Sequence, residues 1–137
     1  MKKKIVYLIL IICFCFVLTA CRKPKAIILF NKYPITKENL LNNATEFKVD
    51  KRIYYILMIE KPLDSEFVRV RVFKRDKKAD FRLTKMVYSD DVKLRKEGLY
   101  YYTDYLVMHE AGNYYMMIYA LNALDRPLAM ADFKVDD

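Results

Sequence analysis

The stretch Phe67–Arg75 constrains this chain more than any other. Val68, Val70 and Val72 alternate there with Arg69 and Arg71. A strict period of two marks a strand that buries one side and gives the other to solvent. A helix would scatter the three valines around its circumference. The valine side needs a second layer to cover it, so the chain is committed to packed sheets. Other stretches repeat the signal. Ala26–Asn31 is a short apolar run suited to an edge strand, and residues 53–59 are apolar at both parities, as a central strand is. Residues 81–88, 99–108, 114–121 and 128–135 read as further strands. Turn signals separate them: Pro62 to Ser65, the charged run 74–78, Ser89-Asp90-Asp91, Lys96-Glu97-Gly98 and residues 123–127. Residues 36–41 read either as a short helix capped by Thr36 or as an irregular crossing between strands. With 12 Tyr, 8 Phe and only 2 Gly, the composition favours strands and excludes a low-complexity chain. The expectation is an all-β antiparallel sandwich of about seven strands over residues 26–137.

Ahead of that domain lies a different kind of segment. Lys2, Lys3 and Lys4 precede an uncharged run from Ile5 to Leu18, then Thr19, Ala20 and Cys21. The run is shorter than the roughly 20 apolar residues a spanning helix needs, and it has the proportions of a signal-peptide core. Leu18-Thr19-Ala20-Cys21 resembles the lipobox of bacterial lipoprotein precursors. That resemblance implies removal of residues 1–20, a thioether-linked diacylglycerol on Cys21, further acylation, and residues 21–25 as a short basic tether. Cys13 and Cys15 would leave with the leader, so no thiol would remain for a disulfide, a metal or a nucleophile. Arg22, Lys23 and Lys25 would add attraction to anionic head groups. Arg rather than Asp follows Cys21, so in a diderm host the resemblance to bacterial lipoproteins implies the outer membrane.

Inside the domain, Glu110, Gly112 and Tyr114 are spaced two apart, with Met116 two further on. The pattern resembles the entry to strand F of immunoglobulin-like domains, where a tyrosine hydroxyl turns back to a backbone group at the corner. Met116 stands where that family carries a cysteine, so the inter-sheet disulfide is missing. The resemblance places Tyr114, Met116, Ile118 and Ala120 inward, opposite Ala129, Ala131, Phe133 and Val135. If 67–75 is strand C and lies beside strand F, one outer face collects Phe67, Arg69, Arg71, Phe73, Tyr115, Met117, Tyr119, Leu128 and Met130. Aromatic, methionine and arginine side chains together have the composition of a protein-binding surface. The alternative is that residues 26–47 fold over this face and bury it.

Little in the chain points to catalysis. His109 is the only histidine, and Ser65 and Ser89, both in expected turns, have no histidine at a recognisable spacing. Two glycines do not build a phosphate cradle. Asp90-Asp91 and Asp136-Asp137 are paired acids of the kind that turns leave solvated. The net charge of +8 includes the three leader lysines, and the mildly basic remainder reads as a solubility charge, not a nucleic-acid surface. The expected function is a non-catalytic binding module of the bacterial envelope, without cofactor, metal or small-molecule substrate. It would be held to the membrane by lipid and would meet another envelope or extracellular protein. Two rival roles are an accessory or structural subunit of an envelope complex, and a small hydrolase inhibitor.

Overall fold

The computed structural model describes residues 25–75, 84–95 and 100–137. Cys21, the leader, the tether up to residue 24 and the expected turn at 96–98 lie outside the described residues. So does most of the charged run 74–78. The described chain forms eight strands and no helix: β1 (Ala26–Asn31), β2 (Glu46–Lys48), β3 (Arg52–Ile59), β4 (Phe67–Arg75), β5 (Lys85–Lys93), β6 (Tyr101–Val107), β7 (Gly112–Ala120) and β8 (Ala129–Asp136). They make two sheets, one ordered β1-β3-β6 and the other β2-β8-β7-β4-β5. The all-β sandwich expected from the alternating pattern is the fold observed.

The period of two in β4 does what its chemistry requires. Val68, Val70 and Val72 have no exposure at all. They share one core with Ile53, Tyr55 and Leu57 of β3 and with Tyr114, Met116 and Ile118 of β7. β3, apolar on both faces, is the middle strand of its sheet, paired with β1 and β6. Ala129, Phe133 and Val135 are buried as expected, and Ala131 packs against the core half-buried.

The structure refines or corrects three readings. The first concerns strand number, since Glu46–Lys48 forms an eighth strand, parallel to β8 with Phe47 beside Val135. Three residues are too few to carry a period. What holds β2 is tertiary: the Phe47 ring lies 6.2 Å from Phe133 and 6.3 Å from Phe30. The second concerns the strand expected at 81–88, which instead runs as Lys85–Lys93 straight through Ser89-Asp90-Asp91. β5 is an edge strand, so polar side chains there reach solvent, and Asp91 gains Arg69 across the ladder. A register shift between Val72 and Phe73 absorbs one extra residue on the β5 side. The third concerns residues 26–47, which do not cover the outer face of the larger sheet. β1 belongs to the other sheet, and β2 only borders this one.

Residues 32–45 form the irregular crossing rather than a helix. Asparagines divert the backbone here. The Asn39 side chain accepts from the Thr36 amide at 2.8 Å and donates to the Pro34 carbonyl at 2.9 Å. Asn43 accepts from the Phe30 amide at 3.0 Å, and buried Asn31 donates to the Asn39 carbonyl at 3.1 Å. The crossing thus caps part of the free edge of β1.

At the turn into β7, the Tyr114 hydroxyl donates to the Glu110 carbonyl at 2.7 Å. This is the corner bond that the immunoglobulin-like resemblance implies. Tyr114 also stacks on Phe133, with ring centres 5.4 Å apart and 13° between planes. Gly112 begins β7 at φ +157°, and a Cβ there would lie 2.7 Å from Cε of Lys74. Glycine lets Lys74 cross the corner and reach Glu110 at 2.7 Å.

Tyr114→Phe removes the corner hydrogen bond but keeps the stacked ring. It is expected to lower unfolding stability by about 1–2 kcal/mol, read as an earlier denaturant midpoint with unchanged slope. An unchanged midpoint would mean that the corner bond contributes nothing.

Candidate interaction face

Because β4 lies between β5 and β7, its odd residues occupy the middle of the outer face. Cross-strand pairing sets the rows. Arg69 stands between Asp91 and Tyr119, Arg71 between Ser89 and Met117, and Phe73 between Met86 and Tyr115. The rows extend onto β8, where Met117 pairs with Met130 and Tyr115 with Asp132. Phe67, Arg69, Arg71, Phe73, Tyr115, Met117 and Met130 therefore do share one face, and Met130 is 57% exposed.

Two residues expected there sit differently. Leu128 precedes β8 and packs half-buried against the core. Tyr119 keeps its row but is buried, at 8% exposure. The Arg71 guanidinium carbon lies 5.4 Å from its ring centre, and its hydroxyl points to the Met117 sulfur at 3.2 Å. It is a floor of the face rather than a contact residue.

Much of the charge on the face is already matched. Arg69 grips Asp91 with two hydrogen bonds, Nε to Oδ1 at 2.6 Å and Nη2 to Oδ2 at 2.7 Å. That pair holds the Asp91 carboxyl below its ordinary value and raises Arg69 further. Arg75 reaches Asp132 at 2.6 Å and lies 5.0 Å over the Tyr115 ring. Tyr115 in turn stacks on Phe73 at 5.0 Å and donates to Thr84 at 3.1 Å. Sequence reasoning missed Met86, Asp91, Arg75 and Asp132. Arg75 continues the period of two from Arg69, and Asp132 continues it from Met130, so both were open to the same rule.

Elsewhere, the outer face of the smaller sheet is nearly free of charge. Ile35 and Leu40 of the crossing meet Ile56 and Met58 of β3, and with Tyr100 and Tyr101 they line a groove of about 710 Å³. At the open side between β5 and β6, Tyr102 donates to Asp104 at 2.6 Å. Burial raises the Tyr55, Tyr102 and Tyr88 hydroxyls above the ordinary tyrosine value, and neighbouring groups including Asp104 raise them further. These hydroxyls stay protonated and act as donors. His109 is exposed and faces Asp50, Nδ1 to Oδ1 at 2.7 Å. Among the described residues, no group of three or more His, Cys, Asp or Glu is placed to hold a metal ion. No described helix is long and apolar enough to cross a membrane.

No protein-family model matches the chain, and no curated protein matches it. Solved structures show faint likeness. A superoxide reductase (neelaredoxin) from Ignicoccus hospitalis is similar at 13% identity and TM-score 0.43, over 69% of this chain and 77% of that one. A β-glucosidase from Listeria innocua is similar at 10% identity and TM-score 0.46, over 83% of this chain. A β-glucosidase from Kluyveromyces marxianus is similar at 16% identity and TM-score 0.42, also over 83%. The chain spans only 16% and 14% of those two enzymes. Likeness this slight carries neither their chemistry nor their fold type across.

A carboxylate held below its ordinary value stabilises the fold at neutral pH and loses that contribution as it protonates. For Asp91 the loss begins as the pH falls below about 4. Acid titration of the unfolding midpoint is therefore expected to drop less steeply in Asp91→Asn than in the parent. Parallel curves would show that the Arg69–Asp91 pair contributes no stability.

Proposed function

We propose that the chain is a bacterial envelope lipoprotein whose immunoglobulin-like sandwich works by binding another protein, without catalysis. The observation that carries this reading is the outer face of the larger sheet. Met86, Met130, Phe73 and Tyr115 surround three arginines on a surface that no other segment of the described chain covers. Exposed methionine and stacked aromatic rings give large contact area at low entropic cost. The Tyr114–Glu110 corner bond supports the immunoglobulin-like type.

The anchor reading rests on the lipobox and gains from the position of Lys25. The Lys25 carbonyl accepts from the Glu60 amide at 2.9 Å, at the start of β1. Only residues 22–25 separate Cys21 from that point, a reach of about 14 Å at most. The connections from β3 to β4 and from β7 to β8 lie at the same end, because β1 runs antiparallel to β3. A lipid on Cys21 would hold this end near the bilayer and leave both outer sheet faces open sideways. In a diderm host the address is the outer membrane, since Arg22 follows the cysteine. An accessory role beside a larger complex is the second reading. The mainly apolar groove on the smaller sheet, with Lys37 as its one charged lining residue, favours it as a second lateral surface.

Cys21→Ala is expected to abolish processing and shift the protein out of the lipid-modified membrane fraction. Retention of a processed Cys21→Ala chain in membranes would defeat the anchor reading. The face is tested separately. A photo-crosslinking residue at Met130 is expected to give discrete adducts in the native envelope, whereas the same residue at exposed Leu124 gives none. Equal adducts at both positions, or none at Met130, would remove the face from consideration.

A further inference from the structure

We propose that this face docks its protein partner through a carboxylate that pairs with Arg71, an inference that rests on reading the face as the contact surface. Arg71 sits mid-strand on β4, flanked across the sheet by Ser89 and Met117. Neither neighbour offers negative charge. Arg69 is occupied by Asp91 and Arg75 by Asp132. Arg71 has no ion-pair partner among the described residues; its Nε is covered from solvent and has no hydrogen-bond acceptor, so an incoming group meets the guanidinium through its Nη atoms. Folded proteins rarely leave a buried donor unpaired, because its lost hydration is not replaced.

The surroundings indicate what kind of group completes the site. Tyr119 lies under the guanidinium and Met117 beside it, with Met130 one strand further. These apolar groups exclude water from the β7 side of a pair formed at Arg71 and strengthen that pair, while Ser89 borders the β5 side. A guanidinium presents a planar fork that matches a carboxylate with two parallel hydrogen bonds. Asp91 and Asp132 pair directly with the other two arginines, and Asp91 also feels the Arg71 charge, so the face offers one cation without a direct ion pair and not a positive strip. That suits a single Asp, Glu or chain-terminal carboxylate ringed by apolar side chains. It does not suit a polyphosphate chain or an anionic bilayer, each of which gains from many cations at once.

Arg71→Met keeps the length of the side chain and matches its methionine neighbours. It removes the unpaired donor, so its unfolding midpoint is expected to equal or exceed the parent's. The binding probe is an array of synthetic decapeptides. Each carries a central Glu flanked by Leu, Ile, Phe, Tyr or Met, and each is printed beside a twin with Gln in place of Glu. The full-length lipidated protein in detergent is expected to be retained about tenfold better by Glu peptides than by their twins. Arg71→Met is expected to lose that discrimination. Equal retention of both twins, retention of neither, or unchanged discrimination in Arg71→Met would overturn the proposal. So would a lower midpoint for Arg71→Met, which would give the guanidinium to the fold. Crosslinking at Met130 without Glu–Gln discrimination sinks the carboxylate alone, while absence of crosslinking sinks the face beneath it.

Discussion

The inward row of Val68, Val70 and Val72 is the constraint on which the rest of the structure depends. All three are fully buried between the sheets, and fully burying a valine contributes about 1.5–3 kcal/mol. A one-residue slip of β4 would expose all of them and drive Arg69 and Arg71 into the core, so the register has no near alternative. Once β4 is set, β5 and β7 pair on its two sides, and β7 carries β8. The outer face follows as a geometric consequence. Side chains between the valines have nowhere else to point.

That face combines what holds the sheet with what it can offer a partner. The Arg69–Asp91 and Arg75–Asp132 pairs are cross-strand contacts on a partly exposed surface, where each is worth little to stability. Their larger effect is to engage two of the three arginines in direct ion pairs and leave the third without one. The stack of Phe73 on Tyr115, with Met117 and Met130, gives that third arginine apolar surroundings on its β7 side. The smaller sheet is organised differently. Its outer face is uncharged near Ile56 and Met58, and the asparagine-bound crossing lies along it. Burial there relies on apolar contact with the crossing, while the larger sheet keeps its outer side open.

Much of this was legible residue by residue. The alternation in β4 predicted which of its sides is buried, and the immunoglobulin-like resemblance at Glu110, Gly112 and Tyr114 implied which way β7 faces. Met116 lies in the core with no exposure, as its parity required. The failures have physical causes. Ser89-Asp90-Asp91 looks like a turn because turns favour those residues, yet an edge strand leaves them hydrated and Arg69 compensates Asp91. Phe47 gave no period because its strand is three residues long. Tyr119 and Leu128 were assigned to the surface by parity alone. Burial at strand ends depends on the neighbouring connection, which no local pattern records.

The sequence by itself determined the class of fold, the division between inner and outer side chains, and the corner at Tyr114. Those depend on short-range periodicity and on backbone chemistry within a few residues. Only the tertiary structure decided that residues 32–45 attend the smaller sheet, that β2 joins β8 in parallel, and that Arg71 alone among the three arginines lacks an acid among the described residues. Each of these pairs groups from distant parts of the chain. Asp91 is 22 residues from Arg69, and Asp132 is 57 from Arg75. Such pairings are set by how whole strands align across the sheet, and no local stretch of sequence contains both partners.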